Sequence, residues 1–465
     1  MNPFDLLIVG AGPAGMAAAV TARKAGLDVL VLDEQPEPGG QIWRGIETVA
    51  ASKRGTLLGS AYLEGRSAVE AFRASGAAYE PGTQLWQIEP GFRAFVTRQG
   101  VSKIVKARAV ILATGAQERP APFRGWTLPG VLTVGAAQIL LKNAGQIPAK
   151  PVWVAGSGPL VLLYMRQLLK AGGKIAGYLD TTPPRQLYSA LRFLPGALVR
   201  AGDLLKGLSW NLALRTAGIR RVTGVADIEA LGAERVEAIR FRTKAGLDET
   251  FQAETLLVHE GVVPNVHAAF ALGCELEWRT DQHCFAPKVD AWGESSQSNI
   301  FVAGDSAGIA GAKAAALRGE IAALRVAAKL GHLTPKASSK AATLARLRLK
   351  RELALRKFLD TLFRPREAIF NPADETVACR CEELTAGEIR GVAVLGRRDP
   401  NQIKALTRAG MGPCQGRQCG YTVTHILAAA EGRLASEVGF YRVRPPLKPV
   451  TIGELASLAE PTANT

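Results

Sequence analysis

Short apolar runs alternating with glycine-rich turns set the plan of this chain. Leu6-Leu7-Ile8-Val9 contains no polar residue, as expected of a strand buried on both faces of a parallel sheet. Gly10-Ala11-Gly12-Pro13-Ala14-Gly15 follows, then an alanine-rich stretch to about Lys24 that reads as a helix. Gly26 stops that helix, and Val29-Leu30-Val31-Leu32 is a second apolar strand ending on Asp33. The pattern returns later. Val152-Trp153-Val154-Ala155 precedes Gly156-Ser157-Gly158-Pro159-Leu160-Val161, a helix to about Ala171, and a strand ending at Asp180. A third start lies at Ile300-Phe301-Val302-Ala303, with Gly304-Asp305 as its turn and an alanine-rich helix from about Gly311. Repeated nucleotide-type units predict an α/β fold with two Rossmann-like three-layer lobes.

Beyond residue 330 the pattern changes. Residues 333–366 carry Lys336, Lys340, Arg346, Arg348, Lys350, Arg351, Arg356, Lys357, Arg364 and Arg366, with Leu344, Leu347, Leu353 and Leu355 interleaved. This predicts a basic linker with an amphipathic helix, packed on a neighbour. A small, mostly helical segment with clustered cysteines spans about 376–435, helical from about Ala386 to Ala409. The tail with Pro445, Pro446 and Pro449 reads as extended. The expected domains are 1–125 with 265–330, then 126–264, the linker 331–375, the cysteine domain 376–435 and the tail 436–465.

Composition narrows the class. A chain of 465 residues, 47% hydrophobic with 49 glycines, can bury a large core. No apolar run reaches the roughly 18 residues of a membrane span, and Met1 to Asp5 lead straight into a strand, leaving no room for a signal peptide. The cytoplasm is expected, with a peripheral place at the inner face of the membrane as the variant. The net charge of +16 fits an acidic partner, an anionic surface or a solvated basic face, but no nucleic-acid motif accompanies it. Six cysteines, four of them in one segment, argue for a reducing compartment and against a disulfide scaffold.

The first glycine motif carries chemistry because of its setting between strand and helix with an acid closing the next strand. Gly10 permits the turn, Gly12 lets backbone approach a pyrophosphate, and Gly15 lets helix and strand pack. The helix N-terminus at Pro13 and Ala14 offers N–H donors to phosphate. Asp33 is placed for ribose hydroxyls, with Glu34 the lesser candidate. The second motif has Val161 at its third position, where a branched side chain obstructs close nucleotide approach; Asp180 could still accept ribose. A retained structural lobe with NAD(P) disfavoured is the expectation.

Further motifs carry a resemblance. Gly39-Gly40-Gln41 after the second strand, Ile111-Leu112-Ala113-Thr114-Gly115 and Ile300-Phe301-Val302-Ala303-Gly304-Asp305 resemble the two-dinucleotide-binding-domain flavoproteins, over about residues 4–330. The resemblance implies glutathione-reductase-like FAD and NAD-like domains, with FAD in the first lobe. It implies that Asp305, beside Gly304, binds the ribityl chain and that Gly40, Gln41, Thr114 and Gly115 line the flavin. Arg44 and Lys313 are weaker candidates near it. No C-x-x-C pair accompanies the flavin motifs, so a dithiol relay is not expected, and Cys274 and Cys284 read as ordinary buried thiols.

Cys379-Arg-Cys381 and Cys414-Gln-Gly-Arg-Gln-Cys419 place four thiols in two tight pairs. Such sets suit a 2Fe–2S cluster or zinc. The tight C-x-C pair is unusual for structural zinc, which favours knuckles with two to four residues between ligands. The segment resembles the 2Fe–2S domain of the bacterioferritin-associated ferredoxin type, departing from it in the longer second pair. The resemblance implies Cys379, Cys381, Cys414 and Cys419 as ligands. Together with Gly39–Gly45 and His259-Glu260-Gly261-Val262-Val263-Pro264-Asn265, the chain resembles the α-type subunits of opine oxidases, of hydroxyproline and proline dehydrogenases and of hydrogen cyanide synthase. This implies a β-type FAD-dependent subunit that oxidises the C–N bond of an amino acid, imino acid or opine, and an external electron acceptor. In some members it implies a small third subunit or FMN at a subunit interface. The alternative is a self-contained NAD(P)H-dependent flavin/iron–sulfur reductase. No catalytic base stands out: His259, His267 and His283 lack a triad-like context.

Overall fold

A mixed sheet and a parallel sheet absorb the apolar runs. The computed structural model describes residues 3–396 and 399–459. In the first sheet the order is Ala78–Pro81, Val29–Asp33, Phe4–Val9, Val101–Leu112, Arg93–Arg98 and Gln84–Glu89, with Ile300–Val302 also paired to Val101–Leu112. Leu6 faces Val29 on one side and Ala109 on the other, and Ile8 faces Val31 and Ile111. Leu6, Leu7 and Ile8 are wholly buried, which explains why this strand carries no polar residue. Ile300–Val302 joins in parallel to the end of Val101–Leu112, so the first lobe is completed by a strand from far along the chain.

The second sheet runs Arg221–Thr223, Ile175–Asp180, Val152–Gly156, Leu256–His259 and Val131–Thr133, all parallel. A three-stranded antiparallel sheet, Val225–Leu231, Ala238–Thr243 and Asp248–Gln252, packs on it through Trp153, Phe241 and Phe251. Helices of residues 184–216 connect Ile175–Asp180 to Arg221–Thr223. Ala190 and Ala197 of these pack on Leu355 and Phe358. The basic segment forms a helix at Pro335–Leu353 followed by a second at Arg356–Leu362.

Between the cysteine pairs, the stretch expected to be helical from about Ala386 to Ala409 is not one continuous helix. Two short helices, Ala386–Ala393 and Pro400–Thr407, replace it, the second started by Asp399, whose side chain accepts Asn401 N–H. Arg408 and Gly410 then take left-handed conformations, ending the helix before Ala409. The tail is irregular from 440 to 451 and closes with a helix at Ile452–Ala456. It returns to the first lobe, where Leu447 N–H bonds Trp86 C=O at 2.7 Å, Gln84 Nε2 bonds Pro449 C=O at 3.1 Å, and Lys448 pairs with Glu34.

The C-terminal module shares a core with the first lobe. Val263, Val266, Cys284 and Phe285 are continuous with Ala378, Ile389, Ile403, Tyr421, Ile426 and Phe440. His283 and His425 lie in this seam on either side of Phe370, at ring distances of 5.7 and 4.4 Å. Burial, reinforced by Arg364 and Arg119 at His283 and by Arg119 at His425, pushes each imidazole down to about 4. In the unfolded chain both bind protons near the ordinary value of about 6.5, so stability is complete above that pH and is lost as pH falls toward about 4. We expect a slope of at most about 1.4 kcal/mol per histidine per pH unit, measured by denaturant unfolding across this window. The double substitution His283→Gln/His425→Gln should flatten it.

Candidate functional site

The carboxyl ends of the first sheet bring the glycine motifs together. Gly10 follows the first strand, Asp33 ends the second, Ala113-Thr114-Gly115 follow Val101–Leu112, and Ala303-Gly304 follow Ile300–Val302. Open sheets bind ligands at this edge. A Cβ on Gly15 would sit 1.8 Å from Gly10 O, so only glycine lets this helix approach its strand. The helix Pro13–Lys24 begins at Gly12 with no side-chain cap. Gly40 packs on it: a Cβ there would be 2.9 Å from Gly12 Cα. Gly304 abuts Ala14 of the same turn.

Two carboxylates flank this cradle. Asp33 accepts Ala11 N–H at 2.5 Å and Gln35 N–H at 2.7 Å, and burial raises its pKa against those bonds. Asp305 accepts Ala310 N–H at 2.8 Å and Gly311 N–H at 3.0 Å, holding the entry to the helix Ala312–Lys329. Each carboxylate keeps acceptor capacity for hydroxyls. Thr114 Oγ1 donates to Asn265 C=O at 3.2 Å, and Asn265 N–H donates to Gly115 C=O at 2.9 Å. A small-residue cradle, an uncapped helix N-terminus and two flanking acids fit a dinucleotide. Glu34 is taken up by Lys448, and Lys313 pairs at the surface with Glu64 at 3.3 Å.

The loop after Gly40 is held from the other lobe. Lys142, 4% exposed, donates Nζ to Gln41 C=O at 2.9 Å and Ile42 C=O at 3.0 Å. Burial, then the Arg44 charge, push its ammonium down to about 7. Arg44 is half-buried with no partner at Nε; burial lowers its pKa, and the Asp33 charge offsets part of that. Nothing in the glycine motifs signals Lys142. It lies on a helix of residues 134–144, and its partners are backbone atoms.

The equivalent edge of the second lobe is closed by side chains. Asp180 Oδ2 accepts Arg221 Nε at 3.1 Å, and its Oδ1 accepts Thr182 N–H at 2.9 Å. Val161 is wholly buried. His259 Nδ1 meets Glu118 Oε1 at 2.7 Å, and Glu118 Oε2 takes Gly135 N–H at 3.0 Å. Glu260, 1% exposed, binds Arg366 Nε at 2.7 Å, so the linker to the cysteine module reaches into this crevice. The residues present do not fit a pyridine dinucleotide.

The four cysteines converge as two couples. Cys379 and Cys419 act on each other, as do Cys381 and Cys414. The neighbouring Cys419 side chain, with backbone N–H groups of Gly410, Glu382 and Cys381, outweighs burial and brings the Cys379 thiol down to about 6. A Cβ on Gly412 would lie 2.3 Å from Cys381 Cβ, so the second loop closes on the first pair only with glycine there. Among the described residues no three His, Cys, Asp or Glu side chains form a site for one ion. Two thiol couples with N–H donors aimed at sulfur match the donor chemistry of a two-iron cluster, in which each iron takes two cysteines. Cys274 and Cys284 are buried elsewhere, 1% and 0% exposed.

The module touches the flavin-motif strand directly. Gln117, two residues after Gly115, donates Nε2 to Arg417 C=O at 2.9 Å. Trp126 Nε1 donates to Val377 C=O at 2.7 Å.

Fold and site together define a two-lobed dinucleotide-binding oxidoreductase with an appended cysteine module. Residues 4–331 match the pyridine nucleotide-disulphide oxidoreductase family, and residues 378–458 match the sarcosine oxidase A3 domain. The A subunit of opine oxidase from Rhizobium meliloti is 42% identical over 463 residues, covering 99% of this chain and 100% of that one. The HcnB subunit of hydrogen cyanide synthase from Pseudomonas aeruginosa is 32% identical over 472 residues, covering 97% and 98%. The crystal structure of L-proline dehydrogenase from P. horikoshii superposes with a TM-score of 0.72 at 20% identity, covering 98% of this chain and 79% of that one. The chain belongs to the pyridine nucleotide-disulphide oxidoreductase family, among the relatives of the opine oxidase A subunit.

Removing one partner of the buried Glu260–Arg366 pair leaves an uncompensated charge. Arg366→Ala should cost about 3–5 kcal/mol in denaturant unfolding. The double substitution Glu260→Met/Arg366→Met should recover most of that loss.

Proposed function

We propose that this chain is the FAD- and 2Fe–2S-bearing electron-transfer subunit of a hetero-oligomeric dehydrogenase. Its partner, a β-type flavoprotein subunit, oxidises the C–N bond of an amino acid, imino acid or opine. The observation that carries this reading is the placement of two thiol couples on a module packed against the strand that follows Gly115, joined to it by Gln117 and Arg417. FAD takes two electrons at once and a 2Fe–2S cluster carries one at a time, so the pair converts a two-electron oxidation into single transfers.

The chain's residues have separable tasks in this reading. Gly12, Pro13, Ala14 and Gly15 open the helix N-terminus to the pyrophosphate. Asp33 takes ribose hydroxyls and Asp305 the ribityl chain. Gly40, Gln41, Thr114 and Gly115 line the flavin, and Lys142 fixes the carbonyls of Gln41 and Ile42. Cys379, Cys381, Cys414 and Cys419 hold the cluster, and the N–H groups on Cys379 stabilise its thiolate form. Oxidation of substrate in the partner leaves this chain no need of its own acid–base constellation beside the flavin. No helix among the described residues is long and apolar enough to cross a membrane. We place the complex in the cytoplasm, where thiolate ligands stay reduced.

Stopped-flow mixing separates this reading from a self-contained NAD(P)H reductase. NADH alone should leave the flavin oxidised, whereas an amino acid or opine substrate with the partner subunit should bleach it. Rapid bleaching by NADH alone would reverse the assignment. Independently, Cys414→Ser should abolish the iron–sulfur absorption while bound flavin remains, read by iron analysis and visible spectra.

A further inference from the structure

The loop between Cys414 and Cys419 contains a residue that binds in three directions. Arg417 C=O accepts Gln117 Nε2 at 2.9 Å. Its Nη1 donates to Cys414 C=O at 3.1 Å, and its Nη2 donates to Leu447 C=O at 2.7 Å. One residue thus ties together the second cysteine pair, the strand Ala116–Glu118 and the returning tail. That strand pairs with Val262–Pro264, Gln117 opposite Val263, and the next residue along, Asn265, bonds Gly115. The connection from Gly115 to the cysteine loop is therefore short, hydrogen-bonded and braced on both sides.

The guanidinium is half-buried against the Cys414 side of the module. Burial opposes its charge, and Cys414 and Glu34 favour it. Glu34 is the acidic neighbour, and that carboxylate is already engaged by Lys448. Arginine keeps its charge in such surroundings. Its forks here go to carbonyl oxygens, so the positive charge stands beside Cys414 without a carboxylate of its own.

We propose that Arg417 is the positioning residue of the electron relay. Its carbonyl, through Gln117, fixes the cysteine loop on the flavin strand, and its charge makes the cluster easier to reduce. The proposal rests on the cofactor reading above. Reduction adds one negative charge to the cluster, which a nearby cation stabilises. In each transfer the reduced flavin loses one electron and the cluster gains one. An external one-electron acceptor then empties the cluster, and a second transfer completes reoxidation of the flavin.

The test uses the full chain with both cofactors loaded. In potentiometric titration followed by electron paramagnetic resonance, Arg417→Met should lower the cluster's midpoint potential. Arg417→Lys, which keeps the charge, should restore it. Gln117→Leu should leave both potentials unchanged yet slow transfer after flash photoreduction of the flavin by about tenfold, as loss of alignment does elsewhere. A wild-type potential in Arg417→Met, or a wild-type transfer rate in Gln117→Leu, would overturn the proposal. Should Arg417→Met lose its cluster, the Gln117→Leu rate decides alone. A wild-type chain lacking iron or flavin would instead defeat the cofactor reading beneath it.

Discussion

Everything about this molecule turns on how the carboxyl ends of the parallel strands in two sheets are finished. At the first, strands end in glycine, alanine and threonine, and the space beyond them is bounded by backbone and two hydrogen-bonded acids. At the second, the strands end in Asp180, His259 and Glu260, and each is answered by a partner from this chain. The same architecture is thereby given two fates. One edge stays available for a ligand, and the other becomes a buried polar anchorage. Burying Glu260 and Arg366 is expensive unless they meet, so their pairing commits the linker to one path. That path sets the cysteine module against Val263, Val266 and Phe285.

The sheets were legible in the sequence because a doubly buried strand admits no polar residue, and Leu6 to Val9 or Val152 to Ala155 advertise that constraint locally. The glycine turns were legible for the same reason: Gly15 answers a clash within its own βαβ unit. Val161 was visible in the sequence, but the engagement of Asp180, His259 and Glu260 at that lobe's edge was not. Arg366 lies 106 residues from Glu260, and Lys142 lies 101 residues from Gln41. Gln117 and Arg417 are 300 residues apart. Contacts over such spans leave no periodic trace, and an arginine in a strongly basic stretch looks like its solvated neighbours until its one buried partner is seen. The helical content between the cysteine pairs was legible, while its division into two helices followed from Asp399-Pro400, a start signal inside the stretch.

The pairing of thiols was likewise beyond spacing alone. The strongest side-chain neighbour of Cys379 is Cys419, from the other loop, and Cys381 interacts with Cys414. Each of these contacts joins the two loops. A module only partly folded would hold neither, so the grouping of the thiols depends on the tertiary structure of the module.

The returning tail has a consequence for biogenesis. The first lobe takes its strand Ile300–Val302 from mid-chain and is clasped by Leu447, Lys448 and Pro449 near the end. A ribosome emits these pieces after the strands they complete, so a nascent chain cannot finish the lobe that it began first. Closure awaits emergence of Pro449, and a chain cut short before that residue would lack its clasp.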